Sequence, residues 1–155
     1  YMGVRVAMAT AKGLALALGL PIVGVNRLSL DAWPHRAYAG PIVAVHKAGR
    51  RQWAWAAYAW DPPAWRELQA PRLDDAESLA DAAPAGLLLC GEPDEELCAA
   101  VRPPRVVRGE SAARRPAGLC ELGWLALQER GADDLAGLAP IYLREPAIGP
   151  QQEVG

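Results

Sequence analysis

PIVAVHKAGRRQWAWAAYAW, residues 41–60, is the stretch whose reading decides the fold. PIVAV is a β-branched run of strand length, KAGRR at 47–51 is a turn signal, and Trp53 and Trp55 in QWAWAAYAW recur at the two-residue period of a strand. These features predict a hairpin joining 41–46 to 52–59, with Tyr58 and Trp60 out of step and a bulge near Ala56. Further along, GLLLC at 86–90 is a continuous apolar run between glycines, the pattern of a parallel strand buried on both faces. Helical patterns alternate with these strands, which argues for an α/β arrangement rather than a sandwich or a bundle.

Working outward, DPPAW at 61–65 breaks the chain and reads as the start of a loop running to LDDAESLADAA, where Asp74 or Asp75 caps a short helix. Pro93 and the acids Asp94, Glu95 and Glu96 open a helix that Pro103 and Pro104 stop. RVV at 105–107 reads as a short strand, and Ser111 as the cap of a helix from about 112 to 130, irregular at Pro116 and ended by Gly131. The tail containing LAPIYLREPAIGP is extended. On the N-terminal side, residues 3–18 form an Ala- and Leu-rich helix ending at Gly19, a residue suited to a left-handed C′ position. Pro21 opens a second buried strand, PIVGV, and a short polar helix follows from Asn26 to Trp33. A boundary falls between Trp33 and Gly40, where the helix-rich opening gives way to the hairpin, and divides the chain into 1–36 and 37–155.

The helix at 3–18 is apolar nearly all round, with Arg5 and Lys12 marking a narrow polar strip. Such a helix needs cover on two sides: a sheet of its own chain on one, something else on the other. Val4, Met8, Ala11, Ala15 and Leu18 fall on one stripe and Val6, Thr10, Leu14 and Ala17 on another, and the first is one candidate partner-binding face. Arg5 and Lys12 also rule this segment out as a membrane span or secretion signal. The chain starts at Tyr1 without an initiator Met and enters the helix without a cap, which reads as a cut inside a longer protein.

Composition narrows the function. Sixteen basic and 18 acidic residues give a net charge of −2, which supplies no general field for a polyanion and disfavours a stand-alone nucleic-acid binder. Phe is absent, so the six Trp must fill the large core positions, and Trp53 and Trp55 beside Arg50 and Arg51 read as core rather than as a basic-aromatic nucleic-acid surface. Cys90, Cys98 and Cys120 form no C-x-x-C pair and read as reduced, mostly packed thiols, which suits the cytoplasm. His35 and His46 lack metal-ligand spacing and read as surface residues without a role. The acids at 94–96 and at 74 and 75 read as helix starts rather than acid/base pairs, and no dinucleotide, P-loop or nucleophile-elbow motif occurs. No catalytic, cofactor or metal residue is assigned.

GVRVAMATAKGLALALGLPIVGVNRL at 3–28 resembles a segment shared by the TsaB and TsaD proteins, the Gcp-like branch of the actin/hexokinase/Hsp70-like (ASKHA) fold. Tyr1 to Arg5 match the end of the family's Gly-rich turn, Ala11 to Ala15 its Ala-Lys-Gly-Leu-Ala helix, and Pro21, Gly24 and Val25 its strand. In the catalytic branch, two histidines four residues apart follow Gly-Val-Asn and hold a metal; here those positions are Arg27 and Asp31, and a guanidinium that stays protonated cannot ligate. PIYLR at 140–144 matches the close of the non-catalytic branch, whereas KAGRRQWAW at 47–55 departs from that branch's hairpin at Lys47 and Arg51. The resemblance implies a mixed sheet with flanking helices and an incomplete first lobe, its first hairpin, a helix and the Gly-rich turn being absent. It also implies a scaffold for a TsaD-like transferase and a TsaE-like ATPase in threonylcarbamoylation of tRNA adenosine 37. ATP and metal belong to the partner subunits and tRNA is met indirectly. The competing readings are a divergent Gcp-like ATPase or metalloenzyme, and a self-dimerising module.

Overall fold

The structure, a computed structural model, describes residues 2–108 and 116–144. Its centre is β1 (Ile42–Gly49), antiparallel on one side to β2 (Gln52–Asp61) and parallel on the other to β4 (Leu88–Gly91). Adding β3 (Ala64–Asp74) beyond β2 and β5 (Arg105–Arg108) beyond β4 gives a mixed five-stranded sheet of order β3-β2-β1-β4-β5. The expected hairpin is present: Val43 faces Ala57 and Val45 faces Trp55 in the register. Tyr58 is out of step with Trp53 and Trp55, as expected, and lies on the opposite face of the sheet. Val43, Val45, Trp53, Trp55 and Ala57 lie on one face of the sheet, and Ile42, Ala44, Ala56 and Tyr58 on the other. A bulge does fall at residues 55–58, on the edge of β2 that pairs with β3.

Helices cover the first face. Ala76 and Leu79 of α3 (Ala76–Ala82) and Leu97 of α4 (Glu95–Val101) join the core with Leu87 and Leu89. Asp75 and Asp94 cap these helices by accepting from the backbone N–H of Ser78 and Leu97 at 2.8 Å and 3.0 Å. On the second face, Leu28 and Ala32 of α2 (Arg27–Ala32) meet Ile42, Leu88 and Cys90. A 3₁₀ turn, Trp33–His35, continues α2, and Leu122 of α5 (Pro116–Arg130) packs on Leu30 and Trp33 from outside. The indoles of Trp60 and Trp65 meet that of Trp33 edge-on at 5.5 Å and 5.3 Å. Gly91 ends β4 at φ 92°, and a Cβ there would come within 2.4 Å of the Val45 carbonyl oxygen, so the close approach of β4 to β1 requires glycine.

Three expectations are corrected. Residues 64–74 are a strand rather than a loop: Asp61–Pro62–Pro63 turns a second hairpin, and an edge position tolerates Pro71 and the poor alternation of β3. Residues 20–26, containing PIVGV, form no strand, because among the described residues no second strand lies alongside to complete a ladder. The N-terminal helix, α1 (Met2–Leu18), is present and ends at Gly19 with φ 63°, but the five-stranded sheet does not cover it and Ala15 is its sole buried residue. The N-terminal start of α5 at about 112 and its cap Ser111 lie outside the described residues.

Trp33, Trp53 and Trp55 fill core positions, Trp60 and Trp65 are half-buried against the core, and Trp124 is 63% exposed on α5. Trp53→Ala is therefore expected to cost about 3–5 kcal/mol in urea unfolding and Trp124→Ala less than about 0.5 kcal/mol. All three cysteines are free, yet their settings differ, Cys120 being exposed and not packed as expected. Burial, with a smaller contribution from the nearby Asp31 carboxylate, pushes the Cys90 thiol up to about 12. A thiol reagent at neutral pH should label Cys120 in the native protein and Cys90 only after unfolding; immediate labelling of Cys90 would contradict its place beneath α2.

Candidate functional site

The strand ends and the first turn of α2 converge on a cluster of charges. The Asn26 side chain caps α2, accepting from Leu28 N–H at 2.8 Å, which places Arg27 at the exposed helix start and Asp31 one turn later, 2% exposed beneath it. His46 leaves the end of β1, and its Nε2 lies 2.5 Å from Asp31 Oδ2. Glu92, just after β4, approaches His46 Nδ1 at 3.4 Å and accepts from Arg27 Nη2 at 3.0 Å. Arg27 Nε is also 4.0 Å from Asp31. The ring nitrogens meet these carboxylates off the line of a straight hydrogen bond, so the approach is an ion pair when the ring is protonated.

His46 is thus not a surface residue without a role: it is 9% exposed and lies between two carboxylates. Its partners come from positions 31 and 92, a convergence that spacing along the chain cannot signal. His35, the other histidine, ends the 3₁₀ turn, half-buried. Arg27 is engaged by Glu92 and Asp31, and among the described residues no group of three or more His, Cys, Asp and Glu has the geometry to hold a metal.

Beside this cluster lies a cavity of about 890 Å³, walled by Val4 and Met8 of α1, by Arg27 and His46, and by the tail from Gly137 to Leu143. The tail is tied down residue by residue. Asp133 Oδ2 accepts from Gly24 N–H at 2.7 Å, Asp133 N–H donates to the Ile22 carbonyl at 2.9 Å, and Arg130 pairs with Asp133. The end of the Leu138 side chain packs closely over Gly24, where a Cβ would come within 2.9 Å of it. Lys12 Nζ donates to the carbonyls of Ala136 and Leu138, both at 3.1 Å.

A family model for TsaD, tRNA N6-adenosine threonylcarbamoyltransferase, matches residues 1–100. The chain belongs to the TsaD family. No match is found among curated proteins. Two solved structures share the fold. One, described as an uncharacterized protein with similarity to peptidase YeaZ from Pseudomonas aeruginosa, aligns with TM-score 0.72 at 22% identity over 93% of this chain and 68% of that one. YeaZ from Pseudomonas aeruginosa aligns with TM-score 0.71 at 21% identity, over 92% of this chain and 68% of that one. The mixed sheet with helices on both faces is the TsaD-family form of the ASKHA fold in a YeaZ-like version.

Within this TsaD-family fold, the five candidate interface residues are divided. Val4, Ala11 and Leu18 are exposed, whereas Met8 is half-buried and Ala15 is 8% exposed, on the side of α1 that carries Lys12 toward the tail. Lys12 is accordingly not part of a solvent strip: it holds the tail.

The Asp133 carboxylate is held below its ordinary value near 3.8, first by Arg130 and then by the Gly24 N–H. A depressed carboxylate contributes stability that is present above the unfolded value and lost as pH falls through the folded one. Tail attachment should therefore be constant from neutral pH to about pH 5 and weaken below about pH 4. Asp133→Asn should lower stability by about 1 kcal/mol at pH 7 and remove this share of the acid sensitivity, as read from urea midpoints across pH.

Proposed function

We propose that this chain is a non-catalytic partner of a TsaD-like transferase in threonylcarbamoylation of tRNA, and that it engages that protein through α1. The observation that carries the reading is Arg27. It stands where the catalytic branch is expected to place a metal-binding histidine, and it is committed to Glu92 and Asp31. A permanent cation in that position repels a metal ion rather than holding one. Metal and ATP then belong to the transferase and to a TsaE-like ATPase in the assembly, with tRNA bound through the complex.

The uncovered apolar surface of α1 supports the partner role. Val4 and Leu18 are 54% and 65% exposed and Ala11 between them is exposed, an apolar stripe of the kind proteins use to associate. Among the described residues no helix is long and apolar enough to cross a membrane, so a bilayer-spanning role for α1 is not the explanation. A site in the cytoplasm, where tRNA is modified, fits this reading.

Titration of the TsaD-like protein into this chain tests the proposal. Ala11→Arg and Leu18→Arg, the exposed members of the candidate stripe, are expected to weaken binding at least about tenfold, with Thr10→Arg on the opposite side near unity. Loss only in Thr10→Arg moves the interface to the other face, and unchanged binding in all three removes α1 from it. Size exclusion shows whether the same helix instead pairs two copies of this chain. Tight ATP binding with divalent-metal-dependent turnover by the isolated protein would overturn the non-catalytic assignment.

A further inference from the structure

Two sequence features without a role, PIYLR at 140–144 and the KAGRR turn at 47–51, meet in the structure. Gly49 pairs with Gln52, leaving Arg50 and Arg51 as a two-residue turn with φ 53° and 55°. Positive φ at both positions suits the twist of a tight hairpin, but it favours Asn and Gly and is disfavoured for arginine. The turn is supported from both sides. Arg51 Nε donates to Glu96 on α4 at 2.8 Å. Opposite, Arg144 Nη1 donates to the Ala48 carbonyl at 3.0 Å, and its Nη2 donates to the Gly49 carbonyl at 3.5 Å and to Gln52 Oε1 at 2.5 Å. One guanidinium fork therefore grips both strands where they enter the turn.

Two residues earlier, the Tyr142 hydroxyl accepts from Arg5 Nε on α1 at 3.1 Å, and the Arg5 guanidinium lies 5.5 Å from the Tyr142 ring centroid. Lys12, two turns along α1, grips the tail again at Ala136 and Leu138. No strand or helix among the described residues packs extensively along α1, so these bonds largely set its pose. Tyr142 and Arg144 are two Cα steps apart, a span of at most about 7 Å, so the contact to α1 and the contact to the hairpin spring from neighbouring points of the tail.

We infer that residues 133–144 are a brace that sets the pose of α1, anchored by Arg144 on the strained hairpin turn. Tyr142 and Arg144 are positioning residues for the α1 surface, and the turn is coupled to that surface through them. The consequence for partner binding rests on the proposed function; the coupling itself does not.

Hydrogen exchange on the full chain, paired with affinity for the TsaD-like protein, tests this. Arg144→Ala removes charge-assisted bonds on the hairpin alone, and exchange across 2–18 is expected to quicken about tenfold while β1 and β4 keep their protection. Affinity should fall by a similar factor, and Arg144→Lys, which keeps the charge but not the fork, should recover part of both. If Arg144→Ala does not fold, Tyr142→Phe deletes one hydroxyl and should quicken exchange in α1 while leaving the hairpin unchanged. Unaltered exchange in α1, or a uniform rise that includes β1 and β4, overturns the brace. Quickened exchange in α1 with unaltered affinity overturns the positioning role. Failure of the unsubstituted protein to bind the TsaD-like protein counts against the partner reading alone, since the exchange measurement needs no partner.

Discussion

The rest of the structure depends on β1 being paired on both edges and covered on both faces. Ile42 to Val45 are wholly buried, with antiparallel β2 on one side and parallel β4 on the other. A strand in that position has no route to water until it ends, so the first polar residue after the apolar run needs partners from whatever surrounds it. That residue is His46, and the surroundings are the ends of α2 and β4, which supply Asp31 and Glu92. The charge cluster is thus a consequence of the burial of β1 as much as a feature of the cleft. Arg27 completes it by offsetting two carboxylates with a charge that no pH in the biological range removes.

How much of this was legible in the sequence follows from which interactions are local. PIVAV and GLLLC declare themselves because a strand covered on both faces must be apolar throughout, and the caps Asp75 and Asp94 because a capping carboxylate sits within three residues of the N–H it accepts. β3 was illegible for the converse reason: at a sheet edge, nothing forces alternation, and Pro71 is harmless there. PIVGV misleads because a β-branched run specifies an extended backbone, whereas a strand also needs a neighbour to pair with. The pairing of His46 with Asp31 and Glu92 lay beyond reach, since it depends on where three elements end in space.

The two ends of the chain that carry the family resemblance are brought together by the fold. Arg5, from the matched helix start, meets Tyr142 of the matched PIYLR segment, and Lys12, from the matched helix, holds the tail that leads to it. Residues far apart in sequence, one set matching both branches of the resemblance and the other the non-catalytic branch, thus serve one local purpose, the attachment of α1. The hairpin departs from the family pattern at Lys47 and Arg51, yet both residues are used, pairing with Asp94 and Glu96 at the start of α4. Acids at the N-terminus of α4 are favoured by the helix dipole in any case, and the two basic residues opposite draw the hairpin tip against them.

Building large core positions from tryptophan instead of phenylalanine has an optical consequence. The indoles of Trp33, Trp60 and Trp65 come from three different elements and meet at nearly right angles, 85° and 87° between planes. Chromophores held at such angles and centroid distances of 5.3–5.5 Å exchange excitation, so the two pairs centred on Trp33 contribute to the near-ultraviolet circular dichroism, and that contribution is lost when Trp33 departs. The protein thereby carries, in its own absorption, a reporter of whether α2 is seated on the second hairpin, while Trp124 in solvent supplies an internal reference that is blind to it.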